Sequence, residues 1–192
     1  MNLITNWPVK GSQIASNDKV PSELCYHDNG ELQAWGYTVP DTATAIAWVK
    51  LLLEPDYRIR TVPAAGSHEA LIRAGKSPET AVSNYLTALW SFVLEQLRRK
   101  IGQDFERTFS IRVVLTCPAI WSDLAKHKTL SAAYAAGMPR TRTTLVPEPE
   151  AAALAVLKER NDHRLLQNGD VVVVCDAGGG TVVSCTNLHK RW

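Results

Sequence analysis

Seven residues, Asp170-Val-Val-Val-Val-Cys-Asp176, run into Gly178-Gly179-Gly180-Thr181 with only Ala177 between them. Four consecutive Val suit a strand buried on both faces, which requires covering layers on either side of a sheet. An Asp at the end of such a strand is a carboxylate on a rigid support. Three consecutive Gly allow positive φ, a tight turn and successive N–H groups aimed at one point. Such a nest binds anions, phosphate above all, and the Thr hydroxyl adds a donor. A carboxylate beside a phosphate cradle would repel its ligand unless a divalent cation lay between them. The layout suggests Mg-nucleotide, and its competitor is a Gly-rich hairpin turn that binds nothing.

The rest of the chain supplies the covering layers. Ser77-Pro78 opens the strongest helical pattern, with an N-cap hydroxyl followed by a residue whose missing N–H costs nothing there. Val82, Tyr85, Leu86, Leu89, Val93, Leu97 and Ile101 then form one apolar stripe, and Arg98, Arg99 and Lys100 precede Gly102, as the helix dipole favours. Ile111–Cys117 is a β-branched run stopped by Pro118, predicting a strand. Ser122-Asp123 predicts a helix through Ala136 with Gly137 at its end, and Glu148-Pro149 precedes another from Glu150 to about Arg160. Val182-Val183 begins a further strand. Before Asp41 the signals are short strands and turns around Val20-Pro21-Ser22, Tyr26, His27–Gly30 and Trp35-Gly36-Tyr37. Ala43–Leu53 is expected to be helical, with Ile46, Val49 and Leu53 on one face, and Pro63–Gly66 a loop. Strands alternating with helices make this an α/β protein, divided at about residues 1–105 (hairpin-rich and helical) and 106–192 (sheet with phosphate loop).

Composition narrows the function. With 192 residues, 45% of the hydrophobic class and 21% charged, the chain is an ordinary globular one. Lys and Arg total 21 against 19 Asp and Glu, a net charge of +2, which gives no electrostatic reason to bind nucleic acid or a membrane surface. No run approaches the ~20 residues that span a bilayer, and no secretory signal is visible, so a soluble cytoplasmic protein is expected. Cys25, Cys117, Cys175 and Cys185 lack metal-site spacing and read as small hydrophobes. The five His are scattered, without local support for a triad or a metal. Ala74-Gly75-Lys76-Ser77 imitates the end of a Walker A loop, but Ala70 stands where the first Gly belongs and no strand precedes it. The Gly run is not GxGxxG either, for no strand–Gly–helix unit or later acidic residue follows.

Three blocks in order, Val113–Asp123 (VVLTCPAIWSD), Glu148–Ala153 (EPEAAA) and Val174–Thr181 (VCDAGGGT), resemble the ATPase domain of the heat-shock-70 (DnaK-type) chaperones, within the actin-like ATPase superfamily. Trp121, the WGY at 35–37 and the WVKLLL at 48–53 look like its divergent fungal branch. The resemblance implies a partial first lobe of the actin-like, ribonuclease H-like fold: a mixed sheet with helices on its faces. It implies Mg-ATP or Mg-ADP as cofactor, slow ATP hydrolysis, and client proteins and co-chaperones as partners. Gly178, Gly179, Gly180 and Thr181 match the second phosphate loop. Asp176 matches the acidic residue near the Mg-bound waters, and Glu148 the carboxylate that positions Mg or the attacking water. Pro118 and Lys126 fall where the family has a Pro and usually an Arg that relay nucleotide state; Lys lacks the planar fork of Arg.

The chain also departs from the family pattern. Its start resembles the end of the third strand, so the first phosphate loop is expected to be missing, as is the second lobe with its adenosine pocket. Counting from Gly36, the family's catalytic Lys falls at Pro40, and Val183 stands where Asp is usual. Hydrogen bonds to charged groups are worth roughly 1.5–3 kcal/mol each, so losing at least four contacts removes roughly 6–12 kcal/mol, comparable to the whole ~8 kcal/mol behind micromolar affinity. The expectation is a piece of a chaperone ATPase, truncated at both ends and weak or inactive alone. A non-catalytic interaction module on a degenerate lobe is the alternative. A sugar or acetate kinase fragment is a third, against which the EPEAAA block argues.

Overall fold

The computed structural model describes residues 3–11, 14–54 and 62–159, together with strand segments at 171–172, 176–177, 182–183 and 188–189. It is a mixed α/β arrangement in which the described strands pair in twos.

The first stretch is two antiparallel hairpins. β1 (Asn6–Pro8) pairs with β2 (Ile14–Ser16), and β3 (Leu24–Tyr26) with β4 (Leu32–Trp35). The turn between β3 and β4 closes with the Gly30 N–H donating to His27 O at 2.8 Å, and Gly30 takes the φ of +78° the turn needs. A 3-10 turn at Gly36–Thr38 follows.

The helix expected over Ala43–Leu53 does not form as such. The N–H groups and carbonyls of Ile46 and Leu24 exchange hydrogen bonds at 2.8 and 3.1 Å, an antiparallel bridge that extends the chain there. Trp48 then turns left-handed at φ 59°, and only Val49–Leu53 coils, as a 3-10 turn. Ile46, Val49 and Leu53 are all buried as the pattern required. The apolar spacing was correct, and the backbone that satisfied it was a bridge plus a turn.

Pro63–Gly66 is helical instead of a loop, lying in α1 (Val62–Arg73). Pro in a first helical turn sacrifices no intrahelical bond. α1 ends in a paired cap: the Gly75 N–H donates to Ile72 O at 3.0 Å and the Lys76 N–H to Leu71 O at 2.9 Å. The Walker-like Ala74–Ser77 segment is therefore the exit of α1 and the cap of the next helix, α2 (Pro78–Ile101), where Ser77 Oγ accepts the Thr80 N–H at 3.1 Å.

A short α3 (Phe105–Thr108) leads to β5 (Val113–Cys117), then α4 (Asp123–Ala135). Ser122 caps α4 by accepting the Ala125 N–H at 3.2 Å. Gly137, at φ +88°, ends it with the same paired bonds, Gly137 N–H to Tyr134 O and Met138 N–H to Ala133 O. Sequence reading did not find β6 (Thr143–Pro147), which pairs with β5 in parallel register from Val113↔Thr143 to Cys117↔Pro147. α5 (Glu148–Glu159) follows without a break, two residues earlier than expected and with Pro149 in its first turn.

The single strand expected over Asp170–Asp176 is described at its two ends. β7 (Val171–Val172) pairs with β10 (Leu188–His189), and β8 (Asp176–Ala177) pairs with β9 (Val182–Val183), both antiparallel. Cys175 and Cys185 lie outside the described residues.

The core sits where α2 and α4 pack together beside β5. It gathers Leu24, Ile46 and Leu53 from the first stretch, Leu71 from α1, Ala81 and Val82 from α2, and Cys117, Trp121 and Ala125. Small residues at the α2–α4 contact, Ala81, Ala125, Ala132 and Ala133, let the two helices approach. A smaller cluster of Val113, Ala133 and Met138 packs with Trp90.

Candidate functional site

The parallel register of β5 and β6 brings Cys117 and Pro147 side by side, so both strands release their chains at one edge. The carboxyl ends of parallel strands are where α/β folds collect ligands. Pro118 leaves β5 there, and Glu148 begins α5 there.

Both line a cleft of about 720 Å³, within the usual size range for small-molecule sites. Its walls are mostly apolar, from Val49, Leu53, Val82, Leu86 and Leu115, and its polar groups include Lys50, Glu148, Thr116 and Lys19. Lys50 Nζ makes an ion pair with Glu148 Oε1. The Glu148 side chain is 18% exposed and that of Lys50 44%, so the carboxylate is the sheltered partner. Lys50 Nζ also lies 5.7 Å from the centroid of the Trp121 ring.

Cys117, paired with Pro147 at the end of β5, lies within the electrostatic reach of this pair. Burial pushes its thiol above the ordinary range, the positive charges of Lys126 and Lys50 pull it back, and Glu148 pushes it up. Cys25 is likewise raised by burial, partly offset by a hydrogen bond from the Ala34 backbone. Both are free and buried, fitting the role of small hydrophobes. Among the described residues no group of three or more His, Cys, Asp or Glu could hold a metal ion by itself.

The expected site residues divide into four sets. Glu148 and Pro118 come together in the cleft. Lys126 instead reaches Asp123 on its own helix, Nζ to Oδ1 at 3.4 Å. Asp176 opens β8, which packs against α5, the helix that Glu148 begins. Gly178, Gly179, Gly180 and Thr181 lie outside the described residues.

The cation that sequence reading missed is Lys50. Counting from Gly36 led to Pro40, which carries no charge, but the partner of Glu148 arrives from ten residues further on. Its signal was a Lys embedded in the apolar Trp48–Leu53 stretch, where a charge needs a partner. That partner is 98 residues away in the chain, and no local pattern reports such a distance.

The family model for Hsp70 protein matches residues 68–190, well over half of the chain. The chain belongs to the Hsp70 family. Among curated Hsp70 relatives, heat shock 70 kDa protein 12A of Mus musculus is 29% identical over 85% of this chain and 26% of its own length. Heat shock 70-related protein 1, mitochondrial, of Leishmania major is 31% identical over 64% of this chain and 18% of its own. Chaperone protein DnaK of Thermosipho melanesiensis is 26% identical over 76% of this chain and 29% of its own. The chain thus spans about a quarter of the length of the Hsp70 relatives it matches. Among the described residues no helix is long and apolar enough to cross a membrane.

Proposed function

We propose that this chain is part of an Hsp70-type ATPase lobe, and that the cleft at the carboxyl ends of β5 and β6 takes the phosphates of Mg-ATP or Mg-ADP. The observation that carries this reading is the Lys50–Glu148 ion pair in the lining of the cleft. Mg²⁺ is normally held by one or two carboxylates with phosphates and water, without a protein cage. A sheltered carboxylate, Glu148, paired with a cation in a cleft that Glu23 also lines, with no three-ligand cluster among the described residues, fits that demand. When bound, Mg²⁺ would supply charge neutralisation of the phosphates.

The chain's own residues have distinct tasks in this reading. Lys50 donates from its ammonium to a phosphate oxygen. Glu148 accepts a hydrogen bond from water and orients it. By the family resemblance Asp176 would accept from Mg-bound water and residues 178–181 would supply backbone donors, while Pro118 fixes the end of β5. The apolar walls of the cleft exclude bulk water, which strengthens each of these interactions. The family resemblance further supports clients and co-chaperones as partners of the whole protein, with 1–105 and 106–192 as its subdomains here. The cytoplasm is the compartment this reading favours, although one relative is named as mitochondrial.

Lys50 restores a charge that the count to Pro40 had removed, but one charge-assisted bond is worth only roughly 1.5–3 kcal/mol. The 192-residue chain is therefore expected to bind Mg-ATP more weakly than ~100 μM, near 5.5 kcal/mol. Calorimetric titration of the folded chain tests this. Weak heat that disappears in Lys50→Met and in Glu148→Gln supports the reading. No heat at millimolar Mg-ATP from a folded sample overturns it in favour of a non-catalytic interaction module.

A further inference from the structure

Lys50 projects from a turn that Val49 and Leu53 fasten to the core, which fixes the backbone but not the direction of the lysine side chain. The 3-10 turn Val49–Leu53 has the poorer hydrogen-bond geometry of that class. It is entered through Trp48 at φ 59°, a left-handed conformation that a bulky residue adopts only when its surroundings impose it. An ion pair with a half-exposed ammonium gains little, and a four-carbon stem loses much rotamer freedom when fixed. The pair with Glu148 is thus too weak to set the direction of Lys50 alone.

Two buried side chains supply what is lacking. Glu54, 7% exposed, closes the turn, and its Oε2 accepts the Ser122 N–H at 2.7 Å. A hydrogen bond to an ionised acceptor is about twice as strong as a neutral one. This carboxylate also lies at the positive end of α4, where negative charge is favoured. The residue before Ser122 is Trp121, 3% exposed, whose ring lies 5.7 Å from Lys50 Nζ. The connections close a ring: Lys50 through its turn to Glu54, across to Ser122, one residue back to Trp121, and from the indole to Lys50.

We infer that Trp121 and Glu54 are positioning residues for Lys50, clamping its turn so that the ammonium is held toward Glu148 and the cleft. The clamp approaches the ammonium from the apolar side. Lys50 therefore stays at the cleft mouth even when Glu148 exchanges its ion pair for a ligand contact. The functional meaning rests on the reading of Lys50 as the phosphate-facing cation, but the clamp itself can be measured without nucleotide.

The measurement is native-state acylation of the full chain with an amine-reactive anhydride, read by mass spectrometry. Lys76, whose Nζ lies 5.6 Å from the Tyr26 ring, is the internal reference. Trp121→Leu is expected to raise the labelling rate at Lys50 about two- to fivefold, the factor corresponding to ~0.5–1 kcal/mol of cation–π attraction. Trp121→Phe keeps a π face and is expected to label like the parent. Glu54→Gln keeps the shape but weakens the tether, and is expected to give a smaller rise. If Trp121→Leu does not fold, the contrast between Glu54→Gln and Trp121→Phe decides. An unchanged Lys50 rate in Glu54→Gln and in folded Trp121→Leu would overturn the clamp, as would an equal rise at Lys50 and Lys76, which marks general loosening. Calorimetry with Mg-ATP on the parent separates the two ideas. A specific rise at Lys50 in a chain that binds no nucleotide upholds the clamp and removes the nucleotide reading. An unchanged Lys50 rate in a chain that binds nucleotide does the reverse.

Discussion

The hairpin stretch, residues 3–54, and the block from α2 to α5 are held by different means. In the block, long helices pack with small residues, Ala81 on α2 and Ala125 and Ala132 on α4, buried in one core, and β5 and β6 run a full five-pair parallel ladder. The hairpins are three or four residues per strand and are fastened to α2 by individual anchors. Trp7 stacks on Phe92 at 5.5 Å, and Trp35 meets Tyr85 edge-on at 5.9 Å. Tyr85 Oη donates to Pro21 O at 3.2 Å, and Asn84 Nδ2 donates to Tyr26 Oη at 2.9 Å. Burial pushes the Tyr26 and Tyr85 hydroxyls above their ordinary range, so these anchors remain protonated donors and acceptors at neutral pH. Two-stranded hairpins are marginal by themselves, and here they depend on what they are attached to.

The comparison bears on the site, because each region supplies one half of it. Glu148 comes from the block, fixed by the β6–α5 junction. Lys50 comes from the end of the anchored stretch, on a turn entered through a strained residue. A site divided this way has a rigid acid and a base whose direction depends on tertiary attachments.

The largest expected effect comes from the anchored stretch. Leu53 is fully buried between its turn and the core, and Leu53→Ala is expected to cost about 2–5 kcal/mol. Urea denaturation measures this, and a cost below that of an exposed leucine such as Leu154 would break the picture of an anchored first stretch. Next come the glycines. A Cβ on Gly36 would meet Val20 Cγ2 at 2.6 Å, at a φ of +55°. Gly36→Ala therefore combines left-handed strain with overpacking, about 2–4 kcal/mol. Gly137→Ala has room, its nearest neighbour being Trp90 Cδ1 at 4.0 Å, and is expected to cost only the strain, about 1–2 kcal/mol. Equal costs for the two, read from thermal melts, would show that the hairpins are packed no more tightly than the helix ends.

Removing a cap in the block is a smaller perturbation: Ser122→Ala loses the hydroxyl that accepts the Ala125 N–H and is expected to cost about 1 kcal/mol. Smallest is the link between α2 and α4, where Lys128 Nζ lies 2.7 Å from Glu79 Oε1. The hydrogen bond from Lys128 is the main reason that the Glu79 carboxyl falls below its ordinary value. Its contribution is thus present above the unfolded value and is lost as pH falls through the folded one. Both groups are partly exposed, so solvent screening keeps it small. Stability compared between the parent and Glu79→Gln should differ near neutral pH and converge in acid. A difference that persists in acid would assign the effect to packing.

What was legible in the sequence follows the same division. α2 lies where its stripe, its Ser-Pro start and its basic end put it, and α4 likewise between Ser122 and Gly137. Those signals are carried by residues three and four apart, within reach of one another on a helix. β6 was missed because Thr143–Pro147 is a plain five-residue run whose only distinction is its parallel partner, contributed by residues thirty positions earlier. The expected helix over Ala43–Leu53 failed for a related reason. Its apolar spacing recorded which side chains are buried, but the bond partner of Ile46 is Leu24, and a bridge between hairpin and turn satisfies the same spacing.

By itself the sequence determined the α/β class, the long helices with their caps, Glu148 just ahead of a helix, and family membership through blocks such as EPEAAA. Each of these is a local pattern whose physics is complete within a few turns of chain. Only the tertiary structure decided that Glu148 has a cation at all, and that the cation is Lys50. The attraction between two charges depends on their distance in space, and folding sets that distance by packing a strained turn against Trp121 and tethering it through Glu54 to Ser122.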